Sequence, residues 1–469
     1  MNLIDISTLK VELPQPTLLS HPRWVDLYWL AWDLLARQMK HGTPQNGFAA
    51  SYLDAAFSDN IFQWDTCFIA AFARYGEHVF PVGPSLDNFY NKQHTDGFIC
   101  REISPDGADC WPKQSEQSIN PPLFAWTEWL IHQVSGDVER LRRVLPHLDR
   151  YYRWIAQHRR TPDGLYWTSN LGSGMDNSPR CGWQWVDLTA QQALAAQMLE
   201  RIARQVGGDD LAAHYHAEYD DLAQRINDLM WDERDGFYYD TLRLTGADYG
   251  LARCKTLAGF WPLLAGIVPR ERAERLVTHL QNPAEFARPH PFPTLSADHP
   301  SYVPTGGYWQ GGVWAPTNYM IVKGLTANGY ADLARQSAER HLDQLAQVAA
   351  RTGTLWENHA PESPAPGCPA RPDFVGWTGL GPVAMLIEDV LGIVVDAPTQ
   401  TIRWRPRQGE THGIRNLRMG GNVVDLLYEN RQCHVKTEQP FTLTLVAADK
   451  SREFYVRQDA ILPCDSWSE

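Results

Sequence analysis

The feature that most constrains the fold is an alternation between two kinds of helical segment from about residue 20 to residue 392. Segments of the first kind have apolar residues three and four positions apart and a face rich in Arg, Glu, Asp and Gln; they span residues 138–160, 209–231, 270–281 and 330–350. Segments of the second kind are apolar on nearly every side; they span residues 121–134, 187–200, 255–266, 311–327 and 377–392. A helix that is apolar all round is buried, whereas an amphipathic helix is half solvated. With further helices over residues 22–40 and 61–75, the pattern predicts a mainly α fold, an (α/α)6 toroid barrel with an inner and an outer ring.

The connections between these segments differ in length. Short connections lie at residues 134–137, 207–209 and 328–330, and long ones at 76–120, 161–186, 282–310 and 351–376. In a barrel of helical hairpins the long connections gather at one end, and long loops in compact domains are usually functional. We therefore expect the functional residues at one rim, which also includes segments 91–103 and 302–314.

The pattern changes to β-strands after about residue 398. Alternating or β-branched segments lie at residues 401–405, 422–428, 434–437 and 441–446, with turn residues between them. The predicted organisation is an N-terminal segment over residues 1–20, a barrel over 21–395 and a small antiparallel β domain over 396–469.

Charge and cysteine usage narrow the possible partners and location. The net charge of −13 disfavours binding to nucleic acid or an anionic membrane surface. No transmembrane or signal segment is expected, so the predicted location is cytoplasmic. The eight cysteines have no C-x-x-C pair, which favours free thiols over disulfides or a metal site. No metal or other cofactor is expected, and either a monomer or a homodimer is compatible with the sequence.

Two acidic residues lie in the long loops. Asp176 lies in a turn between Gly174 and Pro179, followed by Arg180, which could pair with a carboxylate or with sugar hydroxyls. An Asx turn, in which Asp176 or Asn177 binds backbone N–H groups, explains the same residues structurally. Glu357 lies beside a tryptophan, although a solvated helix-terminal Glu is the structural alternative. Two loop carboxyls beside apolar neighbours are the minimum requirement for glycoside hydrolysis.

Aromatic residues are unusually frequent and many lie in turns. The chain contains 19 Trp, which could fill a core or stack on sugar rings. Trp64 and Asp65 could hold a sugar, or Asp65 could cap its helix. Segment 308–314 contains Tyr308, Trp309, Gln310 and Trp314 with two glycines, typical of a sugar subsite or of tight helix packing.

These motifs, in this order, resemble inverting (α/α)6 glycosidases, above all glycoside hydrolase family 63 and more distantly the trehalases of family 37. The matching segments are residues 64–68, 120–126, 173–180, 308–314 and 357–362, within a resemblance that extends from about residue 55 to 392. It implies that Asp176 is the general acid and Glu357 the general base. Independently of the resemblance, Glu362 is a nearby competitor for the second role, although its Pro, Ser and Gly neighbours favour an exposed side chain.

The resemblance also implies substrate-binding roles for the other matched positions. The residues are Trp64, Asp65, Asn120, Arg180, Tyr308, Trp309, Gln310, Trp314 and His359. The chain departs from the family pattern at some of them. Gln310 replaces a usual Arg, Gly312 a Pro, Asn120 a Gln and His359 a Tyr. These positions build the substrate subsites of the family, so the resemblance implies the class of reaction but not the identity of the substrate.

The sequence therefore predicts an inverting hydrolase of a short α-linked glucoside or mannoside. Two other classes fit the toroid: another carbohydrate-active enzyme, such as a phosphorylase or an epimerase, and a non-catalytic sugar-binding protein. A phosphorylase needs a phosphate site, an epimerase uses paired His residues, and a binding protein hydrolyses nothing.

Overall fold

The computed structural model describes residues 9–55, 57–243, 249–447 and 450–464. The α-helices and the π-helix of the described ranges all lie before residue 391. The inner ring consists of Gln63–Ala73, Phe124–Ser135, Val186–Gln205, Trp261–Leu264, Ala315–Ala327 and the π-helix Gly381–Val390. Each of these helices contacts the next, and the π-helix contacts Gln63–Ala73. The ring is therefore closed, and the predicted (α/α)6 toroid is confirmed.

The outer ring is amphipathic, as predicted for four of its six helices. It consists of Pro22–Arg37, Val82–Asn91, Val138–Arg159, Asp209–Leu229, Arg270–Gln281 and Ala331–Thr352. The contrast with the inner ring is clear in burial: every residue of Gln63–Ala73 is buried, whereas Val138–Arg159 buries only one face. Burial of the apolar inner helices on all sides provides the main stabilisation of the barrel.

Connections from an inner helix to the following outer helix are short, as between Phe124–Ser135 and Val138–Arg159. Connections from an outer to an inner helix are long, as at residues 92–123, 160–185, 282–314 and 353–380. The long loops therefore meet at the end of the barrel where the inner helices begin. None of the helices in the described ranges is both long and apolar enough to cross a membrane.

Several predicted helices differ in detail. The segment predicted at 255–266 contains a 3-10 turn, Leu257–Phe260, and one α-turn, Trp261–Leu264. The helix predicted from residue 311 begins at Ala315, with a proline in its first turn. The segment 377–390 is a 3-10 turn followed by the π-helix rather than an α-helix.

In the described ranges, six short strands lie within the barrel part of the chain: β2 (Ile61–Phe62), β3 (Glu102–Ile103), β4 (Trp231–Asp232), β5 (Phe237–Tyr238), β6 (Asp240–Arg243) and β7 (Tyr249–Ala252).

Two larger sheets form the predicted β domain. One has the strand order β1 (Gln15–Leu18), β10 (His412–Met419), β11 (Asn422–Glu429), β12 (Gln432–Thr437) and β15 (Ala460–Pro463). The other has the order β14 (Lys450–Val456), β13 (Phe441–Ala447), β9 (Thr401–Trp404) and β8 (Ile393–Asp396). The pairing is antiparallel apart from β9 and β13, which run parallel. Since β1 comes from the segment predicted to be separate, the N-terminus supplies an edge strand to this domain.

The expectation of free thiols is wrong for two cysteines. Cys433 and Cys464 form a disulfide, with their Cα atoms 6.5 Å apart. The reason is the β12–β15 pairing, which sets Cys433 opposite Leu462 and so brings Cys464 near it. The other cysteines are free: Cys67, Cys100, Cys110, Cys181, Cys254 and Cys368.

Candidate active site

The loop that bears Asp176 is fixed by its local hydrogen bonds. It follows the short helix Asn170–Ser173, which Ser169 caps by accepting a hydrogen bond from the Gly172 N–H (3.1 Å). Gly174 ends this helix with a φ of 77°. A Cβ at Gly174 would lie 3.2 Å from the indole of Trp64, so the predicted sugar-binding Trp64 packs directly against the loop.

Asp176 has the protonation behaviour that a general acid needs. Its side chain is half-buried, and this burial raises its pKa to about 6, against an opposing effect of the Arg101 charge. Arg101 is itself held by the loop, because its Nη1 donates to the Leu171 carbonyl oxygen at 2.5 Å. Asp176 therefore keeps a proton over a range in which an exposed Asp would be ionised.

Glu357 is held by three groups, two from its own loop and one from segment 308–314. Its N–H donates to the Arg371 carbonyl oxygen (2.9 Å), its own carbonyl oxygen accepts from Trp377 Nε1 (3.0 Å), and its Oε1 accepts from the Tyr308 hydroxyl (3.3 Å). Burial raises the pKa of Glu357, while the Arg371 charge and the Tyr308 hydrogen bond lower it. These two groups stabilise the ionised form that a general base requires.

The carboxyl groups of both loops converge on Tyr308. Burial raises the pKa of the Tyr308 phenol, and the charges of Glu357, Asp176 and Asp65 raise it further. The charge of Asp176 also raises the pKa of Glu357. Asp65 and Glu357 interact likewise: burial raises the pKa of Asp65 well above its usual value, and the Glu357 charge adds to this shift. Residues from distant parts of the chain thus face one region at the rim that the loop lengths predicted.

The tryptophans of segment 308–314 form a stack with each other. The rings of Trp309 and Trp314 are 4.0 Å apart and nearly parallel. Trp314 has no exposed surface, and its Nε1 donates to the Tyr308 carbonyl oxygen at 3.1 Å. Trp314 therefore supports Trp309 and Tyr308 from beneath.

Of the two alternatives predicted for Arg180, a carboxylate or sugar hydroxyls, the structure shows pairing with carboxylates. Its guanidinium is buried between Asp187 and Asp240: Nε and Nη2 donate to Asp240, and Nη1 and Nη2 donate to Asp187, at 2.6–3.0 Å. The remaining Nη1 contact is to the sulfur of Met175. Because all five N–H donors have protein partners, none is left for a sugar hydroxyl in this structure.

The three remaining predicted residues lie around the same loops. Asn120 Nδ2 donates to the Leu171 carbonyl oxygen at 3.4 Å, beside the contact from Arg101. Gln310 Nε2 donates to the Asn177 carbonyl oxygen at 3.1 Å. His359 is buried, with its ring 5.5 Å from that of His290, and burial lowers its pKa to about 3.

The competing acid Glu362 is already paired. Its carboxylate accepts two hydrogen bonds from Arg288 at 2.7 Å and one from Tyr302 at 2.6 Å, and the Arg288 contact lowers its pKa. Within the ranges that the structure describes, no group of His, Cys, Asp or Glu is arranged to hold a metal ion.

Sequence reasoning did not single out three residues of the site. Arg101 lies within the 91–103 segment that was expected at the rim, but only its position near Asp176 reveals its electrostatic effect. For Asn177 the local sequence suggests only an Asx turn, and Arg371 lies in a loop without a recognisable motif. Arg101 and Asn177 interact with residues in other loops, so the spacing gives no signal for them.

The chain matches a known protein family over most of its length. The family model described as the mannosylglycerate hydrolase MGH1-like glycoside hydrolase domain matches residues 58–378, well over half of the chain. The chain thus belongs to this glycoside hydrolase family. It is a glycoside hydrolase related to glycoside hydrolase family 63, with a more distant resemblance to trehalases, as the motifs predicted.

Individual relatives cover different shares of the chain. An uncharacterized protein of Borreliella burgdorferi is 29% identical over 381 residues, 79% of this chain and 80% of that protein. A periplasmic trehalase of Salmonella paratyphi B is 23% identical over 68% of this chain, which spans 64% of the trehalase. A family 63 mannosylglycerate hydrolase of Thermus thermophilus, solved with glucose, has a TM-score of 0.62 and 22% identity, covering 76% of this chain and 98% of that one. At this identity the structural likeness concerns the fold.

Proposed function

We propose that the protein hydrolyses a short α-linked glucoside or mannoside with inversion, with Asp176 as general acid and Glu357 as general base. The main support is the convergence at Tyr308 of two carboxyl groups in different environments. One has a pKa of about 6 through burial, and the other accepts a hydrogen bond from the Tyr308 hydroxyl. Such a pair matches the acid and base of an inverting glycosidase.

In this mechanism Asp176 donates its proton to the glycosidic oxygen as the bond from that oxygen to the anomeric carbon breaks. Glu357 removes a proton from a water molecule on the opposite face of the ring, and the water oxygen bonds to the anomeric carbon. The product sugar is the β-anomer. Because the acid must be protonated, turnover is expected to fall as the pH rises through about 6, the pKa of Asp176.

The glycone is proposed to contact Asp65 and Trp64. In the described part of the chain, Asp65 Oδ1 and Arg101 Nε are buried without a hydrogen-bond partner. Buried polar atoms are normally paired, so these two atoms are suited to sugar hydroxyls. Relatives named as mannosylglycerate hydrolase and trehalase suggest a substrate of about this length.

Two substitutions test the proposal. Asp176→Asn and Glu357→Gln should each lower kcat by about 10²–10⁴-fold while substrate binding persists, because each removes one proton-transfer group. Glu362→Gln is the matched control, since it neutralises an acid of the same segment, and it should retain turnover. The substrate is to be sought among α-linked disaccharides and glucosyl or mannosyl glycerates, with and without phosphate. Full activity of either acid or base variant would contradict the assignment, and an α-anomer as the first product by NMR would contradict inversion.

A further inference from the structure

Asn177 links the acid loop to the segment that contacts the base. Its side-chain Nδ2 donates to the Gly307 carbonyl oxygen at 3.0 Å, and its Oδ1 accepts from the Trp309 N–H at 2.8 Å. A third bond runs in the opposite direction, from Gln310 Nε2 to the Asn177 carbonyl oxygen at 3.1 Å. We call these three bonds the Asn177 bridge. It joins segments that lie more than 100 residues apart in the chain, and it is not the local Asx turn that the sequence allowed.

The bridge encloses Tyr308. The two backbone groups that the Asn177 side chain binds belong to the residues on either side of Tyr308. Tyr308 has a φ of 63°, a left-handed conformation that is unfavourable for a non-glycine residue. Such a conformation persists where surrounding contacts determine it. The Asn177 bridge and the Trp314 Nε1 bond to the Tyr308 carbonyl oxygen are contacts of this kind.

The conformation of Tyr308 matters because its hydroxyl donates to Glu357 Oε1, which lowers the pKa of that carboxyl. The residue directly after Asp176 is thus connected, through the backbone of segment 307–310 and the Tyr308 side chain, to the opposite carboxyl. Asp176 has no such bond to Glu357; the two interact through charge.

We propose that Asn177 is a positioning residue that holds Tyr308 in the orientation needed to keep Glu357 ionised and at a fixed position relative to Asp176. This inference rests on the proposed function. Asn177 itself is exposed, so loss of its side chain leaves no large cavity in the core. Its removal should therefore change catalysis more than folding, since small displacements in a catalytic pair can lower rates by about 100-fold.

The experiment compares Asn177→Ala with two reference variants. Asn422→Ala is the matched control: in the β domain Asn422 Nδ2 donates to the Gln439 carbonyl oxygen (3.0 Å) and its Oδ1 accepts from the Gln439 N–H (2.9 Å). It loses the same kinds of side-chain-to-backbone bond far from the site. Tyr308→Phe removes the hydroxyl that the bridge is proposed to orient.

For Asn177→Ala we expect kcat to fall about 10- to 100-fold with a much smaller change in KM. The acidic limb of the pH–rate profile should move upward by about one pH unit, because Glu357 loses a hydrogen bond to its ionised form. Tyr308→Phe should move the limb in the same direction, and the double variant should show little further shift. Asn422→Ala should leave kcat and the limb unchanged.

The pKa of Glu357 can also be followed without turnover, by carbon NMR of the protein labelled at glutamate carboxyls, with Glu357→Gln used to assign the signal. An unchanged pKa in Asn177→Ala, or shifts that add in the double variant, would overturn the inference. These outcomes differ from those expected if the proposed function itself is wrong. In that case Asp176→Asn or Glu357→Gln would stay active. If those two variants are inactive and Asn177→Ala matches the wild type, only the role of Asn177 is rejected.

Discussion

At the scale of single residues, Arg180 was predicted to pair with a carboxylate or with a sugar. Both alternatives follow from an arginine in a turn beside an acidic residue, because a guanidinium binds carboxylate and hydroxyl oxygens alike. What decides between them is Asp240, which lies 60 residues further along the chain and completes the ion-pair cluster. Long-range partners of this kind have no signature in the local sequence.

Replacing Arg180 by Met should lower the free energy of unfolding by about 3–5 kcal/mol, because two buried carboxylates, Asp187 and Asp240, would lose their cation. Urea denaturation measures this change. Arg270→Met is the control, since the Arg270 side chain is 92% exposed beside Glu274 and its removal should alter stability little. If Arg180→Met instead kept full stability and only weakened sugar binding, the guanidinium would belong to the substrate site.

At the scale of elements, predictability depended on helical periodicity. The long amphipathic helices were predicted almost to the residue, as with Val138–Arg159, which was expected over 138–160. The periodicity does not predict Val82–Asn91, which falls within the loop predicted at 76–120. Its sequence contains a proline, a glycine and two asparagines, which weaken the helical signal, and packing against Gln63–Ala73 supplies what the local propensity lacks.

The short helix Asn170–Ser173 offers a test of how an element positions the general acid. Gly174 and Gly353 both end a helix with a φ of 77°, so alanine at either position should destabilise the protein by a similar amount, roughly 1 kcal/mol. They differ in surroundings. A Cβ at Gly174 would lie 3.2 Å from Trp64, whereas a Cβ at Gly353 would have nothing within 4 Å.

We therefore expect Gly174→Ala, but not Gly353→Ala, to lower kcat, because only the former displaces the Asp176 loop from Trp64. Thermal unfolding and steady-state kinetics of both variants measure the two effects. If the two variants lost the same stability and had the same activity, the contact with Trp64 would not position Asp176.

At the scale of the whole molecule, the alternation of buried and amphipathic helices was enough to predict the closed double ring. The loop lengths then predict the rim at which the long loops and the candidate residues lie together. The sequence did not predict that β1 joins the C-terminal sheet, because Gln15–Leu18 is a short segment whose pairing with β10 forms across almost the entire chain length. Pairing at such distance depends on the completed barrel.

A cluster of buried histidines joins three parts of this barrel. His290 comes from the 282–314 loop, His341 from the outer helix Ala331–Thr352, and His359 from the Glu357 loop. His290 Nε2 and His341 Nδ1 are 2.9 Å apart. Burial lowers the pKa of His290 well below its usual value, aided by its neighbours His341, His359 and Arg340, and lowers those of His341 and His359 to about 3. All three are therefore neutral in the folded protein near neutral pH.

This cluster should make the fold sensitive to acid. The unfolded chain binds protons at these histidines below about pH 6.5, whereas the folded chain binds them only at much lower pH. The histidines therefore do not lower the free energy of unfolding above about pH 6.5, and they lower it increasingly as the pH falls below that value. Each histidine contributes about 1.4 kcal/mol per pH unit to this slope. In His341→Gln, which lacks one titrating ring, urea unfolding between about pH 6 and 4 should show a slope smaller by that amount. Above about pH 7.5, where these histidines are neutral in the unfolded chain as well, the slopes of the two proteins should be equal. A slope in His341→Gln equal to that of the wild type would mean that other groups, such as the ion-paired carboxylates, control the response of the whole barrel to acid.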